Sequence, residues 1–358
     1  MTIKANQLPD ILAAFYKTRR AAYFRGAPGI GKTDFVHAAA AQIGRAYGEH
    51  VAVVEFHLAS ISEVDLRGYL IPAGDEATFT KPAFWKQVQA SPRGILFLDE
   101  FPQASHEVQK AAAPLLLAGR IGEYQLPPGW IVVAAGNRTD DMAGANSMLS
   151  HVLNRVCVID VEAPEVDDWV IWAANEGLPH EVIAFAKLRP NVVFGSKVPA
   201  EEDRPFCTPR SLHALADVAN AWDGGLGAMV TRESHGGIDV INGFIGEGAG
   251  AELVGVIRTA INLPSFEEAM AQPMKCRVPE EASEAYAMAI MVAVRAKHDE
   301  HPEAPIEYLT RFNVNQSLVA MLALFNRDAR YMASKAFGVW FHANRDSLAK
   351  YSKYLKLR

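Results

Sequence analysis

The feature that most constrains this 358-residue chain is an octapeptide of the form G-x-x-x-x-G-K-[ST], made of Gly26, Ala27, Pro28, Gly29, Ile30, Gly31, Lys32 and Thr33. An apolar run at residues 21–24 precedes it, and a stretch of helical composition begins at Asp34. A strand, a glycine loop and a helix N-terminus in that order suit an anion, because consecutive N–H groups and the helix dipole point at it. The octapeptide therefore predicts a phosphate-binding loop.

Two side chains of this loop carry its chemistry. Lys32 would reach the β- and γ-phosphates of a nucleotide, and Thr33 would offer its hydroxyl to Mg²⁺. A glycine-rich turn that has this form by chance is the alternative for the octapeptide taken alone. The rest of the chain argues against that alternative, because it supplies further parts of a nucleotide site.

An acidic pair follows a second apolar run. Residues 94–101 read Gly-Ile-Leu-Phe-Leu-Asp-Glu-Phe, which indicates a buried parallel strand with carboxylates at its carboxyl end. Open α/β sheets bind ligands at that end. Asp99 would hold Mg²⁺, directly or through water, and Glu100 would orient and polarise the water that attacks the γ-phosphate. Without a phosphate loop upstream, a strand followed by an acidic helix N-cap would be the preferred interpretation.

Three more polar residues occur at ordered positions downstream. Residues 130–136 predict another strand, and Asn137 follows it, where an amide could position the attacking water or simply form a turn. Residues 146–158 have apolar side chains at helical spacing and carry Arg155. Arg210 projects from the first turn of a helix capped by a threonine and opened by a proline. A surface ion pair is the structural alternative for each arginine.

Taken in order, these motifs resemble those of the AAA+ ATPases. The sequences GAPGIGKT, ILFLDE, AAGN, LNR and TPRSL are similar to Walker A, Walker B, sensor 1, the arginine finger and sensor 2 of that superfamily. Residues 65–68, 119–130 and 168–173 resemble its MoxR-like branch. The resemblance covers about residues 8–255, and no motif is recognised after about residue 260.

The resemblance implies a fold and its division. The class would be α/β, with a P-loop AAA+ parallel-sheet domain over residues 1–162, an α-helical lid over residues 163–262 and a helical C-terminal extension over residues 263–358. It implies ATP and Mg²⁺ as cofactors, held by the octapeptide and, for the metal, by Thr33 and Asp99.

Catalytic roles follow from the same resemblance. Glu100 would activate water, Asn137 would be sensor 1 and Arg210 would be sensor 2. Arg155 would enter the nucleotide site of a neighbouring subunit and stabilise transition-state charge. Arg138 and Arg120 are near it in the motif order and could share or take that role.

Composition limits the other possibilities. Hydrophobic residues make up 50% and charged residues 21% of the chain, as in ordinary soluble proteins, and the net charge of −6 argues against global attraction to nucleic acid. The first residues lack the apolar run of a signal peptide, and no run of about 18 apolar residues predicts a membrane span. Cys157, Cys207 and Cys276 are far apart and lack metal-site spacing, which predicts reduced thiols in a cytoplasmic protein.

Two local features bear on partners. Hairpins are predicted at residues 68–80 and 120–127, and in the MoxR-like branch loops at these positions face a central channel or a partner. Tyr69 and Leu70 are thus candidate client-contacting residues, unless Tyr69 packs beneath its own hairpin. The tail over residues 335–358 is basic and carries two tyrosines, which suits either nucleic-acid contact or a solvated helix end.

The sequence therefore predicts an ATP-hydrolysing MoxR-like AAA+ ring that remodels or activates protein partners. The resemblance implies a homo-oligomer, with six subunits as the expectation, and a protein client that in this family is often a von Willebrand A domain protein. A nucleic-acid-linked AAA+ motor or loader is the main alternative, supported by the basic tail alone. A nucleotide-gated scaffold with little turnover is a second, against which Glu100 and Asn137 argue.

Overall fold

The computed structural model describes residues 2–138, 148, 150–195, 204–231 and 235–348. It divides into two compact units, Met1–Pro164 and Glu165–Arg358. The predicted domain boundary between residues 162 and 163 stays a prediction. The further predicted division at residues 262 and 263 stays a prediction.

Unit 1 is built on a parallel sheet of six strands, in the order β1-β10-β2-β9-β6-β3. This confirms the predicted α/β class. The strands of the described chain are β1 (Thr2–Lys4), β2 (Ala22–Arg25), β3 (Ala52–His57), β4 (Leu70–Ala73), β5 (Glu76–Phe79), β6 (Arg93–Asp99), β7 (Arg120–Ile121), β8 (Tyr124–Gln125), β9 (Gly129–Gly136) and β10 (Cys157–Glu162).

Helices cover both faces of this sheet, which explains why its central strands are apolar throughout. In β6, Ile95 and Phe97 pack towards α1 and α2, whereas Leu96 and Leu98 pack towards α3, α4 and α5. Burying such a side chain stabilises the fold by about 1.5–3 kcal/mol. The helices of unit 1 are α1 (Leu8–Thr18), α2 (Lys32–Tyr47), α3 (Glu63–Arg67), α4 (Trp85–Ala90), α5 (His106–Ala118) and α6 (Ser150–Leu153).

Two antiparallel hairpins, β4–β5 and β7–β8, project from the segments that link these elements. Both occur where the sequence predicts them. The first closes tightly at its base, because the Thr80 N–H donates to the Tyr69 carbonyl oxygen at 2.7 Å and the Tyr69 N–H to Thr80 Oγ1 at 2.8 Å. A side chain at Gly68 would lie 1.9 Å from the Thr80 carbonyl oxygen, so this close approach requires glycine.

Around Arg155 the predicted helix is wrong in extent. The helical spacing runs to residue 158, but α6 ends at Leu153 and β10 begins at Cys157. The apolar residues at positions 156 and 158 pack beneath the sheet, so tertiary pairing overrides the local pattern. Residues 146, 147 and 149 of the segment with helical spacing lie outside the described residues. The strands β1 and β10 were not predicted.

Unit 2 is helical, as predicted. The predicted helix that carries Arg210 begins at Pro209, and Thr208 caps it by accepting from the Ser211 N–H. Its helices are α7 (Val166–Asn175), α8 (His180–Leu188), α9 (Pro190–Val193), α10 (Pro209–Ala221), α11 (Gly225–Met229), α12 (Gly237–Ile245), α13 (Glu247–Ala260), α14 (Phe266–Ala271), α15 (Ala282–Arg295), α16 (Ala304–Leu309), α17 (Val314–Arg327), α18 (Lys335–Ala343) and α19 (Arg345–Leu348).

One hydrophobic cluster runs through this unit from Trp169 to Leu348. The glycines at residues 243–250 lie at the end of α12, at the turn of Gly246 and at the start of α13, so this run forms a turn with close helix packing and not a second nucleotide loop. No helix among the described residues has the length and apolar character needed to cross a membrane. The three cysteines are free thiols.

Candidate nucleotide site

Three neighbouring strands end at the predicted site. In the sheet, β9 lies between β2 and β6, and all three run parallel. The phosphate loop follows β2, Asn137 follows β9, and Asp99 is the last residue of β6. Motifs separated by up to 105 residues therefore meet at one carboxyl edge, as the sequence predicts.

Lys32 is the first residue of α2 and is only 8% exposed. Its ammonium donates to the carbonyl oxygens of Gly26 at 2.8 Å and Ala27 at 2.9 Å, and to Asn137 Oδ1 at 3.2 Å. A buried ammonium needs such oxygens, because leaving it unpaired away from water is costly. Phosphate oxygens are acceptors of the same kind, so Lys32 would hold the β- and γ-phosphates of ATP by donating to them.

Thr33 and Asp99 provide oxygen ligands beside this ammonium. The Thr33 hydroxyl donates to Asp99 Oδ2 at 3.3 Å. A hydroxyl and a carboxylate this close, next to a phosphate cradle, are the few hard oxygen ligands that Mg²⁺ takes from a protein. The residues present therefore fit Mg²⁺, which when bound would neutralise charge on the phosphates.

Glu100 has an unusual backbone. Its φ is +56°, in the left-handed region that residues other than glycine seldom adopt. Two hydrogen bonds hold it there: its N–H donates to Asp99 Oδ1 at 2.8 Å, and its carbonyl oxygen accepts from the Gln103 N–H at 3.0 Å. Such strain costs of order 1–3 kcal/mol and is concentrated at functional sites. The turn therefore places Glu100 at the carboxyl end of β6, directly after Asp99.

Close packing fixes the first residue of the loop. The Gly26 N–H donates to the Gly136 carbonyl oxygen at 3.2 Å, and a side chain at Gly26 would lie 2.5 Å from the Val161 carbonyl oxygen. Gly31 has a φ of +86° and precedes α2. The strands on both sides of β2 thus position the loop.

We expect Gly136→Ala to slow ATP hydrolysis and to destabilise the protein by about 1–3 kcal/mol, the usual cost of overpacking. The added methyl would lie 2.2 Å from Pro102 Cδ, in the short 3-10 turn that follows Glu100. Relief of that clash moves the turn away from β9, and so moves Glu100 relative to Asn137. Thermal unfolding and steady-state phosphate release measure the two effects.

Gly255→Ala is the matched control. Gly255 lies inside α13 of the other unit, with open space where a side chain would be added. Alanine there removes an unfavourable helix residue and should stabilise the protein by up to about 1 kcal/mol without slowing hydrolysis. Full activity of Gly136→Ala at wild-type stability would contradict the close packing of this turn.

The candidate arginines differ in their surroundings. Arg155 lies in the turn after α6 and is exposed, and Arg120, at the start of β7, is also exposed. Arg138, by contrast, donates from Nη2 to the Val161 carbonyl oxygen at 2.8 Å within its own chain. Arg210 is exposed on the first turn of α10, in unit 2.

Sequence reasoning missed three polar residues near these strand ends. Arg25, the residue before the loop, forms a two-pronged ion pair with Asp160 of β10. His57 ends β3 directly across from Asp99 in the sheet register. The position of Arg25 directly before the loop could have identified it from the sequence. The positions of Asp160 and His57 could not be predicted, because they depend on strand pairing and register that the local sequence does not specify.

Residues 22–158 match the sequence model of the AAA family, described as the ATPase family associated with various cellular activities. The matched segment begins at β2, contains the loop, Asp99, Glu100 and Asn137, and ends in β10. No curated protein matches the chain.

Solved structures with some similarity to this chain include a point mutant of RuvB from Thermotoga maritima, at 14% identity and a TM-score of 0.36. The alignment covers 75% of this chain and 75% of the RuvB chain. Another is NtrX from Brucella abortus in complex with ADP, at 17% identity and a TM-score of 0.33, where the alignment covers 96% of this chain and 68% of the NtrX chain.

Proposed function

We propose that the protein is a cytoplasmic, ring-forming AAA+ ATPase of the MoxR-like kind that hydrolyses ATP and remodels polypeptide partners, because residues 22–158 match the sequence model of the AAA family of ATPases. In this proposal Lys32 and the loop bind phosphate, and Thr33 and Asp99 hold Mg²⁺. Glu100 accepts a proton from water that Asn137 helps to position. The client that we propose is a polypeptide, and it need not be the von Willebrand A domain protein that the resemblance implies.

The observation that carries the remodelling role is the apolar surface of hairpin β4–β5. Tyr69 is 65% exposed, Leu70 60% and Ile71 43%. Three large apolar residues in a row that are all exposed are unusual in a soluble protein, and exposed apolar surface marks interaction sites. The exposure of Tyr69 also excludes the interpretation that it packs beneath its own hairpin.

Contacts among the described residues support the hairpin on the side of β5. The Tyr124 hydroxyl of hairpin β7–β8 donates to the Phe79 carbonyl oxygen at 3.2 Å, and the Arg67 guanidinium lies 5.7 Å from the centre of the Phe79 ring. These contacts reach strand β5, whereas all four residues of β4 are exposed. The apolar residues are therefore presented on a supported edge and not on a loose loop.

Side chains, more than backbone pairing, would contact a client there. Ala73 and Glu76 flank the two-residue turn as a hydrogen-bonded pair. Hydrogen-bonded and non-hydrogen-bonded pairs alternate along an antiparallel ladder, so the backbone groups of Leu70 and Pro72 point away from β5. Pro72 has no N–H to donate, and a proline on an edge strand limits the addition of another strand. An extended, apolar polypeptide held through side-chain contacts fits this surface best.

The test uses reduced, carboxymethylated α-lactalbumin as an unfolded polypeptide probe. Glu100→Gln protein with ATP should bind the fluorescently labelled probe, and the further changes Tyr69→Ser and Leu70→Ser should weaken binding at least tenfold by removing apolar contact area. Fluorescence anisotropy measures the affinity, and thermal unfolding checks the fold.

Met274→Ser, which removes an equally exposed apolar side chain in unit 2, is the control and should bind normally. Equal binding by the hairpin variant and this control would contradict the assigned surface. Absence of binding to any unfolded polypeptide, together with DNA- or RNA-stimulated hydrolysis of steep salt dependence, would favour the nucleic-acid-linked alternative. That alternative depends on the basic tail at residues 335–358, of which residues 349–358 lie outside the described residues.

A further inference from the structure

A carboxylate on β10 joins the two strands that carry the phosphate loop and Asn137. Arg25 and Asp160 face each other across the parallel pair β2–β10. Arg25 donates from Nε to Asp160 Oδ1 at 2.9 Å and from Nη2 to Oδ2 at 3.0 Å. This two-pronged geometry fixes the orientation of both groups as well as their separation.

A second arginine approaches the same carboxylate. Arg138 Nε lies 4.0 Å from Asp160 Oδ1, and its Nη2 donates to the carbonyl oxygen of the next residue, Val161, at 2.8 Å. That carbonyl oxygen is the atom against which Gly26 packs without room for a side chain. Asp160 and Val161 therefore contact both Arg25 and Arg138 and also limit the position of Gly26.

These attachments lie immediately beside the residues that bind nucleotide. Arg25 precedes Gly26, the first residue of the loop, and Arg138 follows Asn137. We propose that Asp160 is a positioning residue for ATP hydrolysis, which holds the start of the loop and the backbone after Asn137 in register through Arg25 and Arg138. The inference depends on the ATPase activity of the domain and is independent of the proposed client.

Asp160 lies on the face of the sheet opposite to α2. Along β2, Phe24 packs on the side of α2, and Tyr23 packs on the opposite side. Successive side chains of a strand alternate, so Arg25 lies on the side of Tyr23. The Thr33–Asp99 pair lies on the side of α2. The carboxylate of Asp160 therefore acts through the strands and does not touch the phosphates.

Stability is not the main contribution of this ion pair. The side chains of Arg25 and Asp160 are 40% and 29% exposed, and ion pairs in contact with solvent contribute little to folding. Without the carboxylate, however, the guanidinium groups of Arg25 and Arg138 lose the negative charge that both approach near the ends of β2 and β9. Their mutual repulsion would move the strand ends, and small displacements of a catalytic group slow reactions greatly.

Asp160→Asn tests this role, because it removes the charge and retains the size. We expect kcat/KM for ATP to fall about tenfold, with a loss in kcat as well as a rise in KM. Asp160→Glu keeps the charge and should restore part of the loss. In a double-mutant cycle, adding Arg25→Gln to Asp160→Asn should cost much less than Arg25→Gln alone.

Glu49→Gln is the matched control, since it breaks the Arg93–Glu49 ion pair at the amino end of β6, the end remote from the loop. Its melting temperature should change as little as that of Asp160→Asn, while its kcat/KM stays at the wild-type value. Wild-type kinetics for Asp160→Asn would overturn the proposal. So would equal losses of activity in Asp160→Asn and Asp160→Glu that follow their melting temperatures.

Discussion

Glu100→Gln is expected to bind ATP with Mg²⁺ as tightly as the wild type and to hydrolyse it about 10²–10⁴ times more slowly. An amide cannot accept a proton from water, and the loss of a general base costs a factor of this size. Binding should persist because Lys32 and Thr33, which with Asp99 would hold the phosphates and the metal, are unchanged. Single-turnover phosphate release and binding of a fluorescent ATP analogue measure the two properties separately.

Glutamine suits this test because it preserves the turn. The hydrogen bonds that hold residue 100 at a φ of +56° are made by backbone atoms, so they do not depend on its carboxylate. Glu107→Gln is the control, since Glu107 is an exposed glutamate in the first turn of α5. It should retain full turnover. Unchanged hydrolysis by Glu100→Gln would assign the general base to another residue.

The parts of the site that were predictable are those encoded by short motifs. Each motif places its polar residue at the end of one buried strand, and the carboxyl ends of parallel strands meet at one edge. Lys32 is therefore expected near Asn137, and Thr33 near Asp99. In the structure Lys32 Nζ lies 3.2 Å from Asn137 Oδ1, and Thr33 Oγ1 lies 3.3 Å from Asp99 Oδ2. The catalytic roles of these residues, and of Arg155 and Arg210, stay predictions.

The parts that were not predictable depend on distant pairing. Asp160 lies 135 residues from Arg25, and the two meet only because β10 pairs with β2 in a particular register. No local pattern specifies that register, and the residues before β10 have helical spacing. The left-handed backbone of Glu100 was equally hidden, because it arises from the turn that packs on β9.

In unit 2 the capping residues were informative and the packing was not. Thr208 and Pro209 marked the start of α10 correctly, since both act on the backbone within one turn. After residue 260 the chain offered only composition. The single cluster that joins α7 to α19 depends on which apolar faces meet, and helical periodicity alone does not specify this.

The second large effect concerns assembly. If Arg155 acts on the nucleotide of a neighbouring subunit, Arg155→Ala should fold and bind ATP normally, yet lose hydrolysis by on the order of 10³–10⁵, as for arginine fingers of GTPases. The exposure of Arg155 in a turn leaves its guanidinium accessible to another subunit. Arg138 is held within its own chain by the Val161 carbonyl oxygen, so it is the weaker candidate for that role.

Parallel variants separate the candidates. Arg45→Ala removes an exposed arginine in the last turn of α2 and should leave hydrolysis unchanged. Arg120→Ala tests the other exposed candidate. A large loss of turnover in Arg120→Ala, with a small one in Arg155→Ala, would transfer the role to Arg120.

Mixing tests whether the site is shared. Specific activity of the wild type should rise with protein concentration, because each site needs a neighbour. Arg155→Ala and Glu100→Gln are each inactive alone, but a mixed ring contains interfaces with an intact Glu100 on one side and an intact Arg155 on the other. Such interfaces should restore part of the hydrolysis. Turnover that is independent of concentration, with no restoration on mixing, would mean that the site is complete within one chain and that Arg155 is a surface residue.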